Sequence, residues 1–136
     1  MAKAKKLNYV YALGRRKEAV ARVRLFKGKG ENEVNGKPMS VYFPGAVNAV
    51  ALAKPFGVTE TSDKYFVTIK VAGGGIQSQV DAAILGVARA FTKAKPDEYK
   101  KLLRDNGLLT RDARERQRRM VGTGGKARRK KQSPKR

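Results

Sequence analysis

The sequence predicts a domain of the α+β class, in which a small mixed sheet packs with helices and an extended basic C-terminal tail follows. Apolar and polar residues alternate over Ala19–Lys27 and over Tyr65–Val71, a pattern typical of half-buried strands. Apolar residues recur every three or four positions over Ile76–Phe91, which is typical of an amphipathic helix. No apolar periodicity follows the last helical pattern. We therefore expect a globular domain over residues 1–109 and a tail over residues 110–136.

The first two strands are expected near the N-terminus. Tyr9–Leu13 is rich in aromatic and aliphatic residues and is predicted to form a short strand. In Ala19–Lys27, small and aliphatic residues alternate with Arg22 and Arg24, so both arginines are expected on the exposed face. The pair Asn35-Gly36 then predicts a tight hairpin, because both central residues of such a turn need a positive φ.

Short helices are predicted on either side of the Tyr65–Val71 strand. Pro38 can open a helical turn, because its missing N–H costs nothing at the first helical position. A second short helix is expected over Ala46–Ala53, ending before Pro55. After the long helix, Asp97 is expected to cap a last helix from about Glu98 to Asp105.

Positive charge is concentrated at the two ends of the chain. Lys and Arg number 32 against 11 Asp and Glu, which gives a net charge of +21. The net charge is +9 over residues 1–29, +2 over residues 30–110 and +10 over residues 111–136. So large a charge repels itself in the compact state, and it indicates a polyanionic partner. Nucleic acid is the first candidate and an anionic membrane surface the second.

The absence of two residue types excludes several functions. The sequence has no cysteine and no histidine, which excludes disulfides, thiol nucleophiles, His-based triads and His/Cys metal sites. No apolar run approaches the roughly 20 residues that span a bilayer. The nearest acidic pairs, Asp97-Glu98 and Glu31 with Glu33, are typical of a helix start and a polar loop. We expect a cytoplasmic protein with no catalytic residue, metal, cofactor, small-molecule substrate or membrane partner.

A basic cluster lies at the turn between the first two strands. Arg15, Arg16 and Lys17 precede the second strand, and Arg22 and Arg24 project from its exposed face. Arginine suits phosphate because its planar guanidinium donates two hydrogen bonds at once. The alternative is an ordinary solvated strand face.

Three glycines, Gly73–Gly75, join the Tyr65–Val71 strand to the long helix. A phosphate-binding loop for nucleotides needs Lys and Ser or Thr at the helix start, and no Lys occurs in Ile76–Gln79. Two compatible interpretations are left open. The glycines permit a sharp turn, or they also bring backbone N–H groups and a helix N-terminus close to an RNA phosphate.

The tail is expected to become ordered on contact with RNA. It is rich in Arg, Lys and Gly and contains no aromatic residue, so base stacking on Phe, Tyr or Trp is excluded there. Its contacts are therefore expected to be with phosphates, with arginine stacking in addition. Such binding weakens steeply with salt, because each contact releases counterions.

Three segments together resemble one known family. They are GRRKEAVARVRL at residues 14–25, GGGIQSQVDAAILGVARAF at residues 73–91, and LLTRDAR at residues 108–114, followed by KARR at 126–129 and a terminal Lys135-Arg136. In this order they resemble the universal small-subunit ribosomal protein nine family in its bacterial form.

The resemblance implies a left-handed βαβ crossover and a structural role in the head of the small ribosomal subunit. The implied partners are small-subunit rRNA, neighbouring small-subunit ribosomal proteins and the peptidyl-site tRNA, which the tail would reach. Carried over position by position, the implied rRNA contacts are Arg15, Arg16, Lys17, Arg22, Gly73, Gly74, Gly75, Gln79, Arg111, Arg114, Arg128 and Arg129. Lys135 and Arg136 match the residues that approach the tRNA. Charge alone also allows a DNA-compacting protein or a general nucleic-acid chaperone.

Overall fold

The computed structural model describes residues 9–61, 64–115 and 117 as a five-stranded sheet with four helices. The elements are β1 (Tyr9–Arg16), β2 (Ala19–Lys27), β3 (Glu33–Val34), β4 (Lys37–Pro38), α1 (Met39–Tyr42), α2 (Ala46–Thr59), β5 (Tyr65–Ala72), α3 (Ile76–Ala94) and α4 (Pro96–Asp105). The strand order is β1-β2-β5-β3-β4. All pairs are antiparallel except β3 with β5, which is parallel. The α+β class and the mixed sheet are confirmed.

The parallel pair β3 and β5 requires a crossover connection. The chain leaves β3, passes through β4, α1 and α2, and returns to the sheet in β5 beside its starting point. This is the βαβ connection that the resemblance implies. Its left-handedness stays a prediction, as does the division of the chain between residues 109 and 110.

Asparagine side chains extend the very short pairing between β3 and β5. The Asn35 amide donates to the Val71 carbonyl (3.1 Å) and accepts from the Val71 N–H (2.9 Å). On the other side of β3, Asn32 accepts from the Val67 N–H at 3.0 Å. The Asn35-Gly36 hairpin is confirmed, with φ of 52° and 80° at the two residues.

The helices cover one face of the sheet and leave the other open. In β2 the residues Ala19, Ala21, Val23 and Leu25 are buried, whereas Arg22 and Arg24 are exposed, so the predicted alternation is confirmed. Helix α3 lies across β1 and β2, and its Val80, Ala83, Val87 and Phe91 are buried. Leu108 is buried and Leu109 is half-buried against the core, directly before the start of the predicted tail.

Glycine allows β1 and α3 to approach each other closely. A Cβ added at Gly14 would overlap the Ala82 carbonyl oxygen and would lie 2.5 Å from the Gly86 nitrogen. A Cβ added at Gly86 would lie 2.6 Å from a Val23 methyl group. Because the obstructing atoms at Gly14 belong to the backbone, they cannot turn aside as a flexible side chain could.

Basic residues of α3 bind the outer edge of β1. Arg89 donates to the Leu13 carbonyl (2.8 Å) and Lys93 to the Tyr11 carbonyl (2.9 Å). Edge strands with unpaired backbone groups are sites of unwanted strand pairing. Two cations of this basic protein are therefore occupied in blocking that edge.

Some helix boundaries differ from the prediction. Helix α2 continues through Pro55 to Thr59, so the expected end before Pro55 was wrong. Proline removes one helix hydrogen bond, to the Ala51 carbonyl. Burial of Pro55 together with Leu52 and Phe56 offsets that loss.

The beginnings of α3 and α4 also differ in detail. Asp97 does not cap α4, because Lys95 is the N-cap residue and Pro96 is the first helical residue. Asp97 instead lies in the first turn, where a carboxylate interacts favourably with the helix dipole. Ile76, expected on the apolar stripe of α3, is 59% exposed, because it is the first residue of the helix and the continuous buried stripe begins further along.

Candidate nucleic-acid interface

The open face of the sheet brings cations from three strands together. Arg22 of β2 lies directly opposite Lys70 of β5, and Arg15 of β1 lies opposite Val20, the neighbouring position of β2 on the same face. The three cations line a groove of about 510 Å³ together with Glu18, Val20 and Gly73. Like charges opposite each other in a sheet repel and are destabilising. The groove therefore has the charge and shape expected of an anion-binding surface.

Lys70 was missed as a binding residue in the sequence analysis. The alternation over Tyr65–Val71 already places Lys70 on the exposed face of its strand, so a signal was present. The missing information was that β5 lies beside β2, since strand neighbours are not readable from one strand's pattern. The register between the strands supplies it by pairing Lys70 with Arg22.

Aromatic residues occupy the other end of the open face. Phe26 stacks on Phe66 with ring centroids 5.1 Å apart, and Tyr9 contacts Phe26 at 5.5 Å. The Arg24 guanidinium lies 5.1 Å from the Tyr9 ring centroid, a distance typical of a cation–π contact. The rings cover one another's faces and Arg24 covers Tyr9. This end of the face is thus a packed aromatic cluster, distinct from the groove around Arg22.

Arg16 points to the opposite side of the sheet from Arg15. It shares its face of β1 with the buried Ala12 and Gly14, so it lies under α3 with only 12% of its side chain exposed. Its Nη1 lies 2.7 Å from Asp112 Oδ1, and its Nε lies 3.6 Å from Asp81 Oδ2. The rRNA contact expected for Arg16 stays a prediction, and its guanidinium is engaged by carboxylates of this chain.

Asp112 is bound from two sides. Besides Arg16, it receives two hydrogen bonds from the Arg114 Nε (3.0 and 3.1 Å), one from its Nη2 (2.7 Å) and one from the Arg114 backbone N–H (3.0 Å). The Arg114 side chain above all holds the pKa of the Asp112 carboxyl well below its usual range, and Asp112 raises the pKa of Arg114 in turn. Because the folded pKa is the lower one, this stabilisation is present above the ordinary aspartate pKa of about 3.9 and is lost only in stronger acid.

Another cation, Arg111, is exposed at the beginning of the tail. Arg111 makes one long contact, from its Nη1 to the carbonyl of the neighbouring Asp112 at 3.5 Å. Its side chain is therefore available to a partner in a way that Arg16 is not.

The three glycines of the turn between β5 and α3 have different roles. Gly73 and Gly74 have φ of 77° and 63°, in the left-handed region that favours glycine. A Cβ at Gly73 would lie 2.6 Å from the Glu18 carbonyl oxygen, so its position is also crowded. Gly75 has an extended backbone and open space around its Cα. Of the three, only Gly75, the N-cap residue of α3, has room for a Cβ without a contact.

Gln79 supports this turn from within the helix. Its Nε2 donates to the Gly73 carbonyl at 3.1 Å, and its Oε1 accepts from the Tyr42 hydroxyl at 3.2 Å. Lys17, at the neighbouring β1–β2 turn, is exposed and has a φ of 52°. A left-handed conformation costs a non-glycine residue roughly 1–2 kcal/mol. The turn thus places a cation beside Gly74 and Gly75 at some cost in backbone energy.

Comparison with known proteins shows the family. A family model described as ribosomal protein S9/S16 matches residues 14–136. The chain belongs to this family. It is 44% identical over 130 residues to the small ribosomal subunit protein uS9 of Rickettsia africae, covering 96% of this chain and 80% of the relative. It is 43% identical over 112 residues to the protein of the same name from Lawsonia intracellularis, covering 82% of this chain and 85% of the relative.

The family match includes every residue that the sequence analysis selected. The chain is also 42% identical over 118 residues to the small ribosomal subunit protein uS9 of Maridesulfovibrio salexigens, covering 87% of this chain and 90% of the relative. In this S9/S16 protein, Arg15, Arg22 and Gly73 line the groove, Lys17 lies beside Gly74 and Gly75, and Arg16 and Arg114 lie with Asp112. Arg128, Arg129, Lys135 and Arg136 lie outside the described residues.

Two other kinds of feature are absent from the described part of this S9/S16 protein. Among residues 9–61, 64–115 and 117, no group of three acidic residues could hold a metal ion. In the same ranges no helix is long and apolar enough to cross a membrane.

Proposed function

We propose that this protein is a structural constituent of the small ribosomal subunit that binds small-subunit rRNA in the head of the subunit, in the cytoplasm. Membership of the S9/S16 family and the printed names of the relatives support the ribosomal role. The observation that carries the RNA contact is the Arg22–Lys70 pair, with Arg15 beside it in one groove. An RNA phosphate between these cations would remove their repulsion and release counterions. The role is that of a binding component rather than an enzyme.

The tail would give this domain reach. Fully extended, residues 111–136 span roughly 80–90 Å at about 3.3 Å per residue. The twelve basic residues of this segment suit a path lined by phosphates. We propose that the tail passes along rRNA and neighbouring small-subunit proteins, and that Lys135 and Arg136 contact the peptidyl-site tRNA.

The ribosomal role is tested by sedimentation of cell extract through a sucrose gradient, with detection of this protein in each fraction. We expect a stoichiometric peak with small subunits and whole ribosomes that survives a moderate salt wash. A peak that stays with free nucleic acid, or at the top of the gradient, would instead support a general nucleic-acid chaperone.

The turn glycines allow the folding role to be separated from the binding role. Gly73→Ala is expected to lower the free energy of unfolding by about 1–3 kcal/mol, because it forces a left-handed alanine against the Glu18 carbonyl. Gly75→Ala is expected to leave stability nearly unchanged, since its Cβ meets nothing within 4 Å. If RNA binds at the N-terminus of α3, Gly75→Ala nevertheless weakens affinity for a small-subunit rRNA transcript. Unchanged affinity in Gly75→Ala would restrict the glycines to their turn-forming role.

The tip of the tail is tested by changing Lys135 and Arg136 to Ala. Two lost phosphate contacts to RNA, at roughly fivefold each near physiological salt, correspond to about 25-fold weaker binding of peptidyl-site tRNA. Assembly into the subunit is expected to stay normal. Lys130 and Lys131 changed to Ala are the control, because they remove the same charge further from the end. Normal tRNA binding by subunits that carry the tip variant would contradict the contact.

A further inference from the structure

One side chain of the domain binds the beginning of the tail. Arg16 Nη1 donates to the Asp112 carbonyl (3.3 Å) and to the Arg114 carbonyl (3.2 Å), in addition to its ion pair with the Asp112 carboxylate at 2.7 Å. Asp81 of α3 holds the other side of the same guanidinium through Nε at 3.6 Å. We call these three residues, Arg16, Asp81 and Asp112, the tail latch.

No regular structure directs the tail where it leaves the domain. Residues 111–115 lie in neither a helix nor a strand. Within the described residues, every hydrogen bond and ion pair that joins 111–115 to the rest of the protein involves Arg16. The remaining contacts of this kind, between Asp112 and Arg114 or Arg111, are internal to the segment. Among the polar contacts of the described residues, the Arg16 guanidinium thus alone joins the start of the tail to the domain.

We propose that Arg16 is a positioning residue that sets the direction in which the tail leaves the domain, acting through Asp112. Arginine suits this role because a planar guanidinium offers five donors in a fixed arrangement, whereas a lysine ammonium is a single flexible point charge. Burial of the side chain under α3 limits screening by solvent.

When Arg16 holds residues 111–115 against the domain, the rest of the tail would bind RNA more strongly. A segment that is already directed along its path loses less conformational freedom when it binds. This consequence rests on the proposed RNA-binding function, whereas the positioning itself does not. The two are therefore measured separately.

The positioning is tested by pulsed electron paramagnetic resonance on the full-length protein. The chain has no cysteine, so spin labels can be attached through Lys100→Cys on α4 and Glu115→Cys in the tail. We expect a narrow distance distribution in the parent and a broadened one in Arg16→Gln and in Asp112→Asn. Arg16→Lys is expected to give an intermediate width. Arg111→Gln, which removes the same charge next to the latch, is expected to leave the distribution narrow.

A second label pair, Lys37→Cys with Lys100→Cys, reports on the domain itself. Its distribution is expected to stay unchanged in all of these variants. If the distance distribution between the labels at Lys100→Cys and Glu115→Cys stays narrow in Arg16→Gln, the proposal is overturned. Broadening of both pairs would also overturn it, because Arg16 would then support the domain rather than the tail.

The effect on RNA affinity is measured by filter binding of the full-length variants to a small-subunit rRNA transcript. Asp112→Asn removes a negative charge, which by itself raises affinity for RNA, and Glu115→Gln serves as the control for that effect. If the latch positions the tail, Asp112→Asn and Arg16→Gln both lower affinity, by about fivefold to thirtyfold, the cost of ordering roughly one further residue. A rise in affinity with Asp112→Asn that exceeds the rise with Glu115→Gln would show that Arg16 binds RNA directly once released, and would overturn the positioning role. Failure of every variant and of the parent to bind would reject the RNA function and leave the distance measurement intact.

Discussion

Gly14→Ala is expected to lower the free energy of unfolding by about 3 kcal/mol or more, although it adds a single methyl group. That methyl would overlap the Ala82 carbonyl oxygen and crowd the Gly86 backbone, so β1 and α3 would have to separate. Overpacking a core typically costs about 1–3 kcal/mol, and the upper end applies where backbone atoms obstruct. Domains of this size have a total stability of only about 5–15 kcal/mol. Urea denaturation followed by circular dichroism measures the change.

The matched control for this prediction is Gly57→Ala. Gly57 lies within α2, and a Cβ there meets nothing within 4 Å, so the substitution is expected to stabilise the protein by about 0.5–1 kcal/mol through the helix propensity of alanine. Equal midpoints for the Gly14 variant and the parent would mean that β1 and α3 do not meet as closely as the structure shows.

Gly14 also illustrates what a linear pattern leaves out. In the sequence it begins the basic segment Gly14–Lys17 and invites an interpretation as part of a binding motif. The alternation along β1 was readable and would have placed Gly14 and Arg16 on one face. The distance between that face and the helix above it was not readable, because it depends on Gly86, which lies 72 positions further along the chain.

The separation of Arg15 from Arg16 has the same origin. Consecutive residues of a strand point to opposite faces, so only one of the two could lie on the open face. Their shared charge and adjacency in the sequence had suggested a single cluster instead. The partner that occupies Arg16 is Asp112, 96 positions away, and a contact at that range follows from the folded chain alone.

The elements themselves were largely predictable from short-range patterns. The bounds of β2 agree with the prediction, and the Asn35-Gly36 hairpin and the long helix α3 were foreseen, because alternation, turn geometry and helical periodicity are local properties. Pro55 was misjudged because burial, a property of the tertiary structure, outweighs a local helix-ending signal. The groove is an intermediate case, in which the strands were predictable and their order in the sheet was not.

Changing Arg15, Arg22 and Lys70 together to Gln is expected to weaken binding to a small-subunit rRNA transcript by about 100-fold at physiological salt. Each phosphate contact contributes about 0.9 to the slope of log affinity against log salt concentration, which is roughly fivefold in affinity per contact near 0.15 M. The slope should therefore become shallower by about 2–3. Titrations at several salt concentrations measure both quantities. Folding is expected to persist, because all three side chains lie on the open face and removal of the Arg22–Lys70 repulsion is mildly favourable.

The control for this variant is Lys100, Lys101 and Arg104 changed to Gln. These residues are exposed on α4, so the control loses the same net charge at a site away from the groove. If only the total charge of the protein determined RNA binding, both triple variants would show the same loss of affinity. Their slopes of log affinity against log salt concentration would also become shallower by the same amount. A groove that binds phosphate directly predicts that the larger change in slope belongs to the Arg15, Arg22 and Lys70 variant. Equal slopes would assign the RNA contact to the tail and to the general field of the protein, because opposed cations in a groove add to the slope only where phosphates enter between them.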